Sequence, residues 1–377
     1  MAAFLSIGIY SVISVFFVVI VSCCKYNKDL TFNRIAKRKK LLRRRIFLVA
    51  ILFAFLYMLY NVYCTKNGVS MGGDRLNYSY QFEGYQSTSI GLTAVFKIVK
   101  TLGGNIYNVF YLTTFLYVFI CVLVFTFAYG NNKAALMFFV LTDAIFFSFT
   151  ALKQIYACMF SSICFLLLTR RKSVKRSIAS WCSIIMACLF HDAAIIMVPV
   201  YLAVLFIEGD KRALKIKLML VILFGAFMFL DKIALLCSNI ISPFAPNAAE
   251  KIREYFFSTR YNIETSSPMS FIKGFPFYVI TIWGIIKRKS IAKNIKKYDL
   301  LLLLSAIGSA LFLSSLYSYW MYRAVAFFYI PIAMFFSKIK NCLQGIEKTI
   351  FVLAVYLTMF VILLRWIILI YANYGGF

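Results

Sequence analysis

Residues 37–64 read KRKKLLRRRIFLVAILFAFLYMLYNVYC. Seven cations crowd into 37–45, and then 46–64 holds no Asp, Glu, Lys, Arg or His. A helix of about 20 apolar residues crosses the hydrocarbon core of a bilayer. Loops rich in Lys and Arg stay on the cytoplasmic side. This one stretch therefore predicts a membrane-crossing helix and its direction, with cytoplasm before it and the outer face after it.

The rest of the chain follows the same pattern. Of 377 residues, 63% are apolar, 18% aromatic and 14% charged. A soluble domain is nearer half apolar and about a quarter charged. So little polar surface excludes an ordinary cytosolic enzyme, a disordered protein and a disulfide-stapled secreted module. The fold class expected is an all-α polytopic membrane protein of about twelve spans: 4–22, 46–64, 105–127, 134–150, 151–169, 177–190, 193–207, 218–240, 271–286, 300–318, 324–337 and 349–371. The continuous apolar runs 134–169 and 177–207 are divided at Lys153 and at His191-Asp192. The first run has no charge before it and reads as a span rather than a cleaved leader.

The formal net charge is +28. Segments 23–45, 130–133, 170–176, 208–217, 287–299 and 338–348 hold 29 of the 41 Lys and Arg residues. These are alternate loops, so they are assigned to the cytoplasm and both termini to the outside. The excess charge is then a topology signal and a contact with anionic lipid, with no need of nucleic acid. The ten cysteines show no metal-ligand spacing and there is one histidine. No metal and no cofactor are expected.

The single membrane domain, 1–377, carries two long outer loops, 65–104 and 241–270. The first contains Met71-Gly72-Gly73-Asp74-Arg75, then Tyr78, Tyr80, Phe82 and Glu83-Gly84-Tyr85. It ends in a helix-like run over 90–102, with Lys97 and Lys100, expected to lie at the interface. The second carries an amphipathic stretch at 248–261, expected as a short helix on the outer face.

Ionisable groups near hydrocarbon are costly and mark function by default. On the outer side these are Asp74, Arg75 and Glu83, then Lys153, His191-Asp192, and Arg323 after Tyr319-Trp320-Met321-Tyr322. Arg and Lys suit phosphate or pyrophosphate. A carboxylate or neutral imidazole can take a proton from a sugar hydroxyl. Tyr78, Tyr85, Trp320 and Tyr322 suit sugar stacking. Plainer roles stand beside each of these. They are an Asp74-Arg75 ion pair, a turn at Glu83-Gly84, a snorkelling Lys153, an interfacial His191-Asp192 pair and an aromatic-belt Arg323. Asp143, Asp231-Lys232 and Arg365 fall within spans, and the cytoplasmic Glu208-Gly209-Asp210 reads as a tight turn.

The order Asp74-Arg75-Leu76-Asn77-Tyr78, Glu83-Gly84-Tyr85, Lys153-Gln154-Ile155-Tyr156-Ala157, His191-Asp192-Ala193-Ala194 and Tyr322-Arg323 resembles the EpsG-like members of the Wzy polysaccharide polymerases. The resemblance spans about 70–330, and Lys153 stands where that family usually has Arg. It implies a fold related to glycosyltransferases that use polyprenyl-linked donors. It also implies polymerisation of undecaprenyl-pyrophosphate-linked oligosaccharides at the outer face of the bacterial cytoplasmic membrane, without metal or nucleotide. A flippase and a chain-length regulator are the implied partners. Arg75, Lys153 and Arg323 would hold the pyrophosphate. His191, Glu83 or Asp74 would be the base, and Tyr78, Tyr85, Gln154, Tyr319, Trp320 and Tyr322 would meet sugar or lipid. An O-antigen ligase type and a lipid-linked oligosaccharide transporter are the alternatives. Transporters usually place charges at the midplane and show repeated halves; here the polar cluster is assigned to one face and the sequence shows no repeat.

Overall fold

The computed structural model describes residues 2–23, 32–67, 74–129, 145, 148–149, 151–169, 173–207, 212–243, 246–257, 268–295, 297–315 and 319–374. Every regular element among them is helical. Among the described residues, three segments are long and apolar enough to cross a membrane: Phe47–Lys66, Ile106–Val124 and Arg323–Cys342. Shorter apolar helices are Leu152–Leu168, Asp192–Ile207, Lys232–Ile241 and Tyr298–Ser314. Several helices are apolar on both faces. Val12 is 69% and Val221 67% exposed, as a helix facing lipid requires. Nearly all of the expected span 134–150 and the Glu208-Gly209-Asp210 turn lie outside the described residues.

The chain divides into two compact units, 1–194 with 360–377, and 195–359. The first holds α1 (Ala2–Cys23), α2 (Phe32–Lys66), α3 (Asp74–Glu83), α4 (Ile90–Thr101), α5 (Ile106–Tyr129), α6 (Leu152–Leu168) and α7 (Val174–Phe190). Helix α2 begins at Phe32 and runs through the basic block that the sequence assigned to a loop. Helix α5 packs along α2 and α6, and α6 packs along α7. Ser14 on α1 hydrogen-bonds the Tyr57 hydroxyl on α2 at 3.0 Å.

Local chemistry sets the boundaries here. Asn105 and Asn108 cap α5 reciprocally, each side chain accepting from the other's backbone N–H at 3.2 and 2.8 Å. Helix α4 ends at Gly103, at φ +72°, where Gly104 N–H donates to Val99 O and Gly103 N–H to Lys100 O. That pairing needs a left-handed residue, which glycine supplies without strain. Ser173 caps α7 by accepting from Arg176 N–H.

The second unit contains α8 (Met197–Ile207), α9 (Arg212–Met228), α10 (Leu230–Ile241), α11 (Pro246–Phe257), α12 (Pro268–Ile291), α13 (Tyr298–Ser314), α14 (Tyr319–Val325), α15 (Tyr329–Cys342) and the start of α16 (Gly345–Tyr374). The expected span 218–240 is two helices, broken at Phe229 (φ −120°, ψ 27°). The break falls just before Asp231-Lys232, a pair that is costly inside an unbroken span. Helix α10 pairs with α11, whose Arg253 donates to Ser238 Oγ at 2.7 Å and Asn239 Oδ1 at 2.9 Å.

Helix α13 is buried over 300–309 and is the centre of this unit. Lipid supplies no hydrophobic drive for helix association, so small and polar residues do the joining. Thr281 Oγ1 lies 2.7 Å from Ser305 Oγ and 2.8 Å from Ser309 Oγ, and Ser309 Oγ donates to Phe277 O at 3.1 Å. At the end carrying the 287–299 segment, Lys287 pairs with Glu347 at 2.7 Å and Arg288 with Asp299 at 2.9 Å.

A Cβ on Gly308 would sit 2.6 Å from Ile332 Cδ1 and 2.9 Å from Phe328 Cβ. Phe328 Cβ is rooted in backbone and cannot swing away. Gly308→Ala is therefore expected to cost about 1–3 kcal/mol through overpacking. Gly225→Ala, with nothing within 4 Å of the new methyl, should be neutral or stabilising. Thermal unfolding in detergent checks the pair.

Candidate functional site

Helix α3 lies inside segment 65–104, where the sequence predicts only the helix at 90–102, and it organises the site. It ends at Gly84, at φ +99°, with Gly84 N–H and Tyr85 N–H both donating to Tyr80 O at 3.1 and 2.9 Å. The glycine of Glu83-Gly84-Tyr85 is thus a helix stop. Arg75 and Tyr78, three residues apart, share one face of α3. Both meet Phe110 on α5: the Arg75 guanidinium lies 4.6 Å over the ring and Tyr78 approaches edge-on at 6.2 Å.

Arg75 is anchored through all three of its guanidinium nitrogens. Its Nε donates to Phe149 O at 2.8 Å, Nη1 to Thr65 Oγ1 at 2.8 Å and Nη2 to Asn61 Oδ1 at 2.6 Å. Phe149 sits in the turn at 148–149 that precedes α6, where the apolar run 134–169 divides. Its carbonyl is taken by the guanidinium. All three acceptors are neutral. Among the described residues, no carboxylate pairs with Arg75. Burial pushes its guanidinium down to about 10, against the smaller raising influence of Tyr111, Cys64 and Tyr107. At neutral pH it remains a cation, held without an anionic partner among these residues.

Lys153 joins the same place. Its backbone N–H, in the first turn of α6, donates to the Tyr78 hydroxyl at 3.4 Å. Such first-turn N–H groups lack helical acceptors and favour negative ligands. Gln154, next along α6, is buried. One turn further, Tyr156 stacks on Phe190 at 4.7 Å, and Thr113 Oγ1 donates to its hydroxyl at 3.2 Å. Phe190 also meets Gly91 of α4 so closely that a Cβ there would lie 2.8 Å from its ring.

Phe190 delivers His191, which ends α7. His191 O accepts from Ala194 N–H at 2.9 Å, and Nδ1 accepts from Ala193 N–H at 3.0 Å. The imidazole thus caps the 3-10 turn Asp192–Ile196. A backbone N–H donates only to an unprotonated ring nitrogen, so the neutral ring carries its proton on Nε2. In this arrangement Nε2 is a donor. Serving as a base at Nε2 would require releasing Ala193.

The first unit therefore brings Arg75, Tyr78 and Lys153 together, and aromatic packing carries the chain from Lys153 to His191. Glu83 and Tyr85 are exposed, and Asp74 is partly so. Tyr85 meets Tyr80 at 6.4 Å. Arg323 belongs to the second unit, in α14, and is half-buried; the side chains of Tyr319, Trp320 and Tyr322 lie outside those described. Among the described residues, no three His, Cys, Asp or Glu side chains gather as metal ligands do.

Asn61, Thr65, Thr114 and Ser148 were not singled out by the sequence. Asn61 Nδ2 donates to Thr114 Oγ1 at 2.8 Å and approaches Phe110 O at 3.4 Å, while Ser148 Oγ reaches Thr114 at 3.4 Å. The available signal was a single amide side chain inside the uncharged run 46–64.

Replacing the His191 cap by Ala should lower stability by about 0.5–2 kcal/mol. His191→Asn, whose Oδ1 can accept from Ala193 N–H, should restore most of it in the same thermal assay.

The EpsG family matches residues 50–376, most of the chain. No curated protein and no solved structure matches. That match includes α3, the Lys153 turn, His191 and Arg323, the residues on which the geometry above rests. The chain belongs to the EpsG family, membrane proteins of the polysaccharide-polymerase type.

Proposed function

We propose that this protein polymerises undecaprenyl-pyrophosphate-linked oligosaccharide repeats on the outer face of a bacterial cytoplasmic membrane, with about twelve spans and both termini outside. The observation that carries this reading is that Arg75, fixed by neutral acceptors, shares a helix face with Tyr78, whose hydroxyl accepts from the backbone N–H of Lys153.

The acceptor hydroxyl oxygen attacks the anomeric carbon of the donor sugar. The bond from that carbon to the pyrophosphate oxygen breaks, and undecaprenyl pyrophosphate leaves with the electron pair. Negative charge develops on the leaving group, so fixed cations stabilise the transition state more than a general acid does. Arg75, Lys153 and Arg323 take that role. The acceptor proton passes to Glu83 or Asp74 while His191 keeps its bond to Ala193, with Nε2–H donating to an oxygen of the substrate. Tyr78, Tyr85, Gln154, Tyr319, Trp320 and Tyr322 contact sugar or lipid. A flippase that supplies the repeat and a chain-length regulator are the partners of such a reaction.

Purified protein in detergent, given one lipid-linked repeat without metal or nucleotide sugar, should yield a ladder of longer lipid-linked chains on a gel. Lys153→Arg should keep the ladder, since the charge and its position persist. Intact substrate across preparations of folded protein overturns the polymerase. Transfer only when lipid A core is added would mark a ligase, and flipping in vesicles a transporter.

A further inference from the structure

Asn61 is fully buried in the middle of the outer half of α2, and its amide has one possible orientation. Phe110 O only accepts and a guanidinium only donates, so Nδ2 faces Phe110 and Thr114 while Oδ1 faces Arg75 Nη2 at 2.6 Å. Thr114 is locked in turn, near Phe110 O at 3.0 Å and Ser148 O at 3.2 Å. Thr65, one turn along α2, donates to Asn61 O at 2.8 Å while accepting from Arg75 Nη1 at 2.8 Å.

Every group that fixes the Arg75 fork is therefore neutral, and Asn61 and Thr65 are each held by a second bond. A carboxylate in the place of Asn61 would have the same shape and a stronger attraction for the guanidinium. The sequence places an amide there. An amide orients the fork without cancelling its charge, as a site for an anion requires.

We propose that Asn61 is a positioning residue whose neutral amide aims Arg75 and reserves its charge for an anionic ligand of the pyrophosphate class. This rests on the polymerase reading for the identity of the lipid-linked donor, but the recognition of pyrophosphate itself does not require turnover.

The test compares wild type with Asn61→Asp and Asn61→Ala. Three quantities are read: stabilisation of detergent-solubilised protein by inorganic pyrophosphate, inhibition of chain growth by the same anion, and KM against kcat for the lipid-linked donor. Asn61→Asp should fold, because its carboxylate pairs with the Arg75 guanidinium. It should nevertheless raise the donor KM about tenfold or more, with a smaller change in kcat, and abolish the response to pyrophosphate. Asn61→Ala leaves the charge and loses only the aim, so its KM should rise less.

A purely structural role for Asn61 gives the reverse order, with Ala the worse variant, and overturns the proposal. So does an unchanged pyrophosphate response in Asn61→Asp. If that variant does not fold, Thr65→Asp carries the same test from the other arm of the fork. Asp143→Asn is the control for an acidic residue outside the described ones. If it lowers the donor KM, Asp143 already compensates Arg75 and the inference fails. A wild type that responds to pyrophosphate but makes no ladder refutes the polymerase reading and leaves this inference standing.

Discussion

The first unit depends on the Arg75 guanidinium. A cation removed from water at a membrane face must recover hydrogen bonds for its donors or accept a penalty of several kcal/mol. Arg75 recovers them from α2 through Asn61 and Thr65, from the turn before α6 through Phe149 O, and from the Phe110 ring face on α5. Bonds to a charged group contribute about 1.5–3 kcal/mol each, so three of them tie these separate elements together. The same contacts leave the charge itself uncompensated among the described residues. Fold and the proposed anion affinity thus draw on one side chain.

The second unit solves a different problem with different residues. Helix α13 is instead joined to α12 by the Thr281, Ser305 and Ser309 hydroxyls, and Gly308 lets α13 approach Phe328 and Ile332. The Tyr298 hydroxyl donates to Gly284 O. Hydroxyl bonds between helices hold geometry where lipid offers no competing water. The Lys287–Glu347 and Arg288–Asp299 pairs are partly exposed, so their contribution is small and registers α12 against its neighbours more than it stabilises them.

The chemistry of the site follows from where helices begin and end. Lys153 N–H belongs to the first turn of α6, and His191 fills the cap between α7 and the 3-10 turn. The Lys153 N–H, the Arg75 fork and Nε2 of the capped His191 are all donors. A surface built of donors complements developing negative charge on a leaving pyrophosphate better than it complements proton abstraction. In the proposed reaction, charge stabilisation falls to the buried groups and proton transfer to the carboxylates of α3.

Composition and the alternation of Lys and Arg made a helical membrane protein evident in the sequence, because hydrocarbon leaves the backbone few alternatives and charge sets direction. The helices at 90–102 and 248–261 were legible from their periodicity and appear as α4 and α11. Arg75, Lys153 and His191 stood out as ionisable groups in apolar surroundings. Helix α3 did not, because its short, polar sequence forms a helix only by docking Tyr78 and Phe82. The break at Phe229 was hidden for the opposite reason: the residues on both sides of it are apolar enough for one span. Asn61 and Thr65 became part of the site only once α2, α3 and α5 met. Hydropathy registers how a residue partitions into a membrane, while a hydrogen bond between residues fourteen apart, such as Arg75 to Asn61, exists only in the packed structure.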